Sequence, residues 1–392
     1  MTALKLYFVV GEASGDALGA DLLEALERDG GGPIDAMGLA GPKLEKKGVA
    51  SLFNIEDVSV MGIGAVLASL PKIVRHIYRT VDDIVEKNPD VMVLIDSPDF
   101  VQPIAKRVRK RAPHIPIINY VCPSVWAWRS GRAAKMAAYI DHVLALLPFE
   151  PRVLKELGGP QATYIGHPLA NQLADQLERT TVEPQPMASS TELPTLLVLP
   201  GSRRSEVTRM MKPFGDTLDV LRARGHAFQT VIPAVSQVRD RIEEEAATWS
   251  VAPQIVSAEL NNKTFPKAHL ALAASGTVTL QLALHRVPMV AAYRLDSVGE
   301  MIARNAIKVW SASLPNLIAD RMVVPEDYGH MVMPNLLARR LEALLTDSLD
   351  RQAQLAGFDE IWSRMATQEP ASQMAARIVR QFGFGKVKPN SP

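Results

Sequence analysis

The 392-residue chain has one cysteine, few aromatic residues (6 per cent) and almost no surplus charge of either sign, its formal net charge being +1. Cys122 cannot form an intrachain disulfide and has no metal-ligand spacing around it, so a reducing, cytoplasmic compartment is expected. The charge balance excludes general electrostatic attraction to nucleic acid, and any basic patch must be local. No run reaches the roughly 18 apolar residues of a membrane span. The stretch MTALKLYFVVGEASGD breaks its apolar run at Gly11 and turns acidic too soon for a secretory signal.

What is present is the composition of a soluble globular protein, 47 per cent hydrophobic and 22 per cent charged. Single cores stop growing near roughly 250 to 300 residues, so two domains are expected. Short apolar runs (LKLYFVV, VMVLI, IPIINYV, HVLALL, ATYIG) alternate with helical spacing, which for Ala17 to Arg28 places Leu18, Leu22, Leu23 and Leu26 on one face. The periodicity resumes at TLLVL, FQTVI, PQIV, HLALAA and PMVAAY. Near-continuous apolar strands between helices predict parallel sheets buried on both faces, hence an α/β fold with two Rossmann-like domains. The aperiodic EPQPMASSTELPT predicts a linker at 183–195 between a domain at 1–182 and a second at 196–354.

Ligands of such sheets bind at the carboxyl ends of the strands. In GEASGD, acidic Glu12 suits sugar hydroxyls or an amine better than a pyrophosphate; Ser14 or Asp16 is equally a helix cap. IDSPDF puts Asp96 directly at a strand end, where a carboxylate can take a proton from an attacking hydroxyl, with Asp99 as the helix cap. In CPSVWAWRSGR the indoles of Trp126 and Trp128 suit sugar rings or acyl chains, Ser124 opens the turn, and Arg129 or Arg132 can pair with phosphate. Gly201, Ser202 and Arg203 of LPGSRRSEV form an anion cradle at a helix start. Ser275, Gly276 and Thr277 of AASGT form a second, Gln281 stands one turn further in, and Asn316 lies in the polar SLPN loop. A nucleotide therefore belongs to the second domain and its acceptor to the first.

The helix after Val60 carries Met61, Val66, Leu67 and Leu70 interleaved with Lys72, Arg75 and Arg79. No acidic residue occurs from Val101 to Ile140, while Lys106, Arg107, Arg109, Lys110, Arg111, Arg129, Arg132 and Lys135 all do. Together these two features predict a surface that rests on an anionic membrane. Each taken alone is equally an ordinary amphipathic helix or a solvated basic face.

GEASGD, VMGI, IDSPDF, PSVWAWR, LPFE, GHP, PGSRRSEV, ASGT and SLPN, in this order, resemble the lipid-A-disaccharide synthases. The resemblance implies a GT-B fold with a C-terminal helix, about 355–385, packing back on the first domain. It implies transfer from UDP-2,3-diacylglucosamine to the 6-hydroxyl of 2,3-diacylglucosamine 1-phosphate (lipid X), with inversion, at the cytoplasmic face of the inner membrane. No cofactor or metal is expected beyond the donor. Asp96 is the expected base, with Glu12 orienting the acceptor or sharing the role; Met61, Val66 and Leu67 would meet lipid. Where similar enzymes carry Glu for the ribose, this chain has Gln281, and DYGH follows VVPE in place of the usual residues. The alternatives are another GT-B UDP-sugar enzyme, such as a muramyl-lipid GlcNAc transferase or an epimerase, and a catalytically silent lipid or nucleotide binder.

Overall fold

The computed structural model describes residues 2–59, 63–177, 193–295 and 308–385. The chain divides into two compact units, residues 1–171 with 367–392, and residues 172–366. Most of the expected linker, 183–192, falls outside the described residues, as do Met61 and the side chains of Val66 and Leu67.

In the first unit the order is β1 (Leu4–Val10), α1 (Ala13–Arg28), β2 (Ile34–Leu39), α2 (Pro42–Glu45), α3 (Ile63–Lys87), β3 (Val91–Ile95), α4 (Pro98–Arg111), β4 (Ile117–Tyr120), α5 (Gly131–Met136), β5 (His142–Ala145), α6 (Glu150–Glu156), β6 (Gln161–Tyr164) and the start of α7 (Pro168–Leu177). The strands form one parallel sheet in the order β2-β1-β3-β4-β5-β6. Strand β1 shows why its run is continuous: Leu4, Leu6, Phe8 and Val10 pack on one side, Tyr7 and Val9 on the other, and all six are buried. Helix α1 covers the first face and α3 with α4 the second.

Helix α1 starts at Ala13, four residues before the apolar spacing begins. The expected single helix at 355–385 is two. Leu349–Met365 packs in the second unit against the helices Leu314–Ala319 and Thr277–Leu284, whereas Ala371–Gly383 packs on α1 in the first. Arg380 secures the second of these. Its guanidinium meets Asp29 at 2.6 Å and donates to the carbonyls of Leu26, Gly31 and Gly32, so nearly every donor of a buried cation is matched.

The second unit repeats the plan with β7 (Thr195–Leu199), α8 (Arg204–Ala223), β8 (Gln229–Ala234), β9 (Gln254–Ser257), β10 (Leu270–Ala274), β11 (Met289–Tyr293) and β12 (Glu326–Tyr328), parallel in the order β12-β11-β10-β7-β8-β9. In both sheets the chain reverses its direction of strand addition next to the first strand. The switch points, where open α/β sheets bind ligands, are therefore β1/β3 and β7/β10.

Candidate active site

At the first switch point Val10 pairs with Ile95, so the loops after β1 and β3 leave the sheet side by side. They approach so closely that a side chain on Gly11 would lie 2.4 Å from Cβ and Oγ of Ser97. Asp96 and Ser97 both take left-handed backbone, φ 59° and 41°, a conformation that costs free energy in non-glycine residues. The result is a crossed pair of hydrogen bonds. Ser14 Oγ donates to Asp96 Oδ2 at 2.9 Å, and Ser97 Oγ donates to Glu12 Oε1 at 3.1 Å. Ser97 N also donates to Asp96 Oδ1 at 2.9 Å. Two carboxylates thus stand together, each held by a serine from the opposite loop. Ser97, which sequence reasoning passed over between Asp96 and Pro98, is one of the two bridges.

Asp16 is no cap of α1. Buried, it accepts the amides of Gly41, Lys43 and Leu44 at 3.0, 2.7 and 3.1 Å, locking the loop after β2. Asp99 is no cap either: Ser97 occupies that position, and Asp99 sits in the first turn of α4 against Arg132 at 2.7 Å and Arg129 at 3.7 Å. Of the tryptophans, Trp126 is half-buried, edge-on to Phe149, and donates from Nε1 to Glu150 at 3.1 Å. Trp128 is 40 % exposed with the Arg129 guanidinium 4.2 Å over its ring, and Ser124 beside them is exposed.

Glu150, the last residue of LPFE, is buried and also accepts the amides of Leu146 and Leu147. Burial pushes its pKa up to about 7 against these three donors. In GHP, burial drives His167 down to about 4; the neutral ring accepts from Leu169 N at 3.2 Å and tethers the start of α7. Arg109 is removed from the basic surface, buried in an ion pair with Asp141.

At the second switch point the Gly201–Arg203 cradle is already filled. Glu206 Oε2 accepts the amides of Ser202 and Arg203 at 3.1 and 3.2 Å, and its other oxygen meets the Arg203 guanidinium at 3.2 Å and Tyr293 Oη at 3.2 Å. The amides expected to hold phosphate serve the chain's own carboxylate, and the Arg203 side chain, paired with that same carboxylate yet 67 % exposed, is the element an anion can reach from solvent. The Ser-Gly-Thr turn does head a helix, Thr277–Leu284, with Thr277 exposed and Gln281 half-buried one turn in. Ser275 Oγ is turned inward, so Thr277 and the first amides remain for an anion. Asn316, fully buried within a helix, accepts Val323 N and Val324 N, both at 2.8 Å, and donates to Val324 O at 2.9 Å, so its side-chain amide is engaged within the chain. In DYGH, Asp327 pairs with Arg340 at 2.9 Å, and Tyr328 bonds to Glu326 and accepts from Ala312 N, a structural use of the departure from the usual residues. Among the described residues no three His, Cys, Asp or Glu side chains cluster as metal ligands.

Two six-stranded parallel sheets flanked by helices are the plan of the GT-B fold. Solved structures agree: the chain is similar to Acinetobacter baumannii MurG (TM-score 0.60, 14% identity, 96% of this chain and 99% of that one). It is likewise similar to a putative UDP-N-acetylglucosamine 2-epimerase from Listeria monocytogenes (TM-score 0.65, 12% identity, 100% and 99%). The chain belongs to the lipid-A-disaccharide synthetase family, whose model matches residues 6–381. Relatives named lipid-A-disaccharide synthase include one from Nitrobacter winogradskyi, 46% identical over 96% of this chain and 94% of its own, and one from Rhodospirillum centenum, 38% identical over 97% and 94%.

Proposed function

We propose that this chain is an inverting glycosyltransferase that joins UDP-2,3-diacylglucosamine to 2,3-diacylglucosamine 1-phosphate, giving the β-1',6 lipid A disaccharide phosphate and UDP. The observation that carries the reading is the crossed Ser14–Asp96 and Ser97–Glu12 pairing at the first switch point, in a chain matched by its family over residues 6–381. Asp96 accepts the proton of the acceptor's 6-hydroxyl as that oxygen bonds to the donor's anomeric carbon. The bond from that carbon to the diphosphate breaks, and its electron pair leaves on UDP. Glu12 orients the acceptor through its hydroxyls. Charge growing on the diphosphate is answered by Arg203, Thr277 and the first amides of its helix, and Gln281 suits the ribose.

The lipid substrates call for a membrane surface. No described helix is long and apolar enough to cross a membrane. Helix α3 instead exposes Leu70, Val74 and Tyr78, at 48, 41 and 50 %, in one row at i, i+4 and i+8. Exposed Arg75 and Arg79 accompany the row, and Arg107 sits 4.8 Å over the Tyr78 ring. Apolar residues with guanidinium groups beside them suit peripheral seating on the anionic cytoplasmic face of the inner membrane.

Radiolabelled donor offered with each acceptor in turn tests the reaction. Only diacylglucosamine 1-phosphate should be extended; extension of a muramyl-linked lipid instead, or epimerisation of the UDP-sugar with no acceptor, would overturn it.

A further inference from the structure

One built feature of the first unit takes no part in the proton transfer. Beside the first turn of α4 lies a cavity of about 500 Å³ whose lining includes Asp99, Lys106, Arg129, Arg132, Lys135 and Tyr139. Four cations face one carboxylate. Arg132 and Arg129 lie 2.7 and 3.7 Å from the same oxygen of Asp99, and that side chain is 73 % exposed, so a stronger anion can displace it from the solvent side. Lys106 is aimed by packing: its ammonium lies 5.2 Å from the centre of the buried Tyr139 ring, whose hydroxyl donates to Gln102 at 3.3 Å. Among the described residues no carboxylate pairs with Lys106 or Lys135. Like charges gathered in one concavity repel one another, and only a multivalent anion relieves all of them together.

We infer that this cavity binds a phosphomonoester, that of the acceptor's anomeric carbon, with Lys106, Arg132 and Lys135 as its ligands. The inference rests on the acceptor proposed above. Asp99 is three residues beyond Asp96, so their Cα atoms are at most about 11 Å apart along the chain. In a hexosamine the carbons that bear the 6-hydroxymethyl group and the 1-phosphate both flank the ring oxygen, so a sugar whose 6-hydroxyl meets Asp96 holds its phosphate within a separation of the same order. A dianion with three terminal oxygens matches several cations at once, as a neutral sugar hydroxyl does not. Bilayer phospholipid headgroups share this chemistry, but the recess adjoins the proposed base, and that favours the substrate.

The test is equilibrium binding of 2,3-diacylglucosamine 1-phosphate and of its dephosphorylated counterpart, both in neutral detergent micelles. Wild type should hold the phosphorylated lipid roughly tenfold or more tighter, the scale of one or two charge-assisted bonds. Lys106→Ala/Lys135→Ala, two exposed positions, should lose that preference while its affinity for the dephosphorylated lipid and for UDP stays put. A wild type without preference, or a double variant that keeps it, overturns the assignment. So does a variant that keeps the preference yet no longer floats with phosphatidylglycerol vesicles, since the lysines would then read headgroups. Turnover is scored apart. A wild type that prefers the phosphorylated lipid but transfers no sugar removes the proposed reaction and leaves the cavity assignment standing.

Discussion

Ser14 Oγ reaches Asp96 Oδ2 at 2.9 Å although 82 residues separate them in the chain. Most other carboxylates singled out at the strand ends are filled by main-chain amides: Asp16 by three, Glu150 by two and an indole, Glu206 by two. Glu12 accepts a serine hydroxyl, and Asp96 a serine hydroxyl on one oxygen and a single amide on the other; hydroxyls rotate and can re-form their bonds around a substrate. This difference sets the proposed catalytic pair apart from the carboxylates that hold turns.

Asp96→Asn is expected to lower kcat by roughly 10³-fold, the scale of a lost general base, with UDP affinity kept. Ser14→Ala, which removes only one bond to Asp96, should cost about tenfold. Single-turnover assays with labelled donor measure both, and an Asp96→Asn enzyme near wild-type rate would remove Asp96 from the mechanism.

Glu206→Ala leaves the amides of Ser202 and Arg203 without their carboxylate and frees the start of α8. Stability should fall by about 1–2 kcal/mol, read as a lower urea midpoint at unchanged slope. Added phosphate should recover more of that loss in the variant than in wild type, because the emptied amides then form an anion site. Equal recovery would mean that Glu206 does not occupy such a site.

Glu150 supplies a pH signature. Its pKa rises on folding from 4.5 to about 7 because burial disfavours the charged form. Between those values the folded protein holds a proton that the unfolded chain has released. Its contribution to stability is therefore full below pH 4.5 and is lost as the pH climbs through 7, by up to about 3 kcal/mol. Glu150→Gln should flatten the stability curve over that interval relative to wild type; parallel denaturation curves from pH 5 to 8 would contradict this.

The Leu70, Val74 and Tyr78 row bears on membrane seating. Leu70→Ser/Val74→Ser should weaken flotation with anionic vesicles severalfold, and the binding that remains should be salt-sensitive. Flotation unchanged at both low and high salt would assign the contact to another surface.

Much of the architecture was legible in the chain because buried parallel strands leave unbroken apolar runs and helices leave a 3.6-residue spacing, both local properties. The loops at Glu12, Asp96, Arg203 and Thr277 could be found for the same reason: they follow those runs. Their partners could not. That Glu206 fills the cradle beside Arg203 was foreshadowed only by its place three residues into the helix, the spacing of a capping box. That Asn316 braces Val323 and Val324, that Arg109 is buried on Asp141, and that Asp16 holds the loop at 41–44 had no local signal. The strand order β2-β1-β3 places residue 12 beside residue 97. Sequence determined which segments are strands and helices, which side chains end them and a short-range contact such as Glu206 with Arg203; tertiary structure decided that Ser14 meets Asp96 and Ser97 meets Glu12, because those contacts join loops that only the assembled sheet brings together.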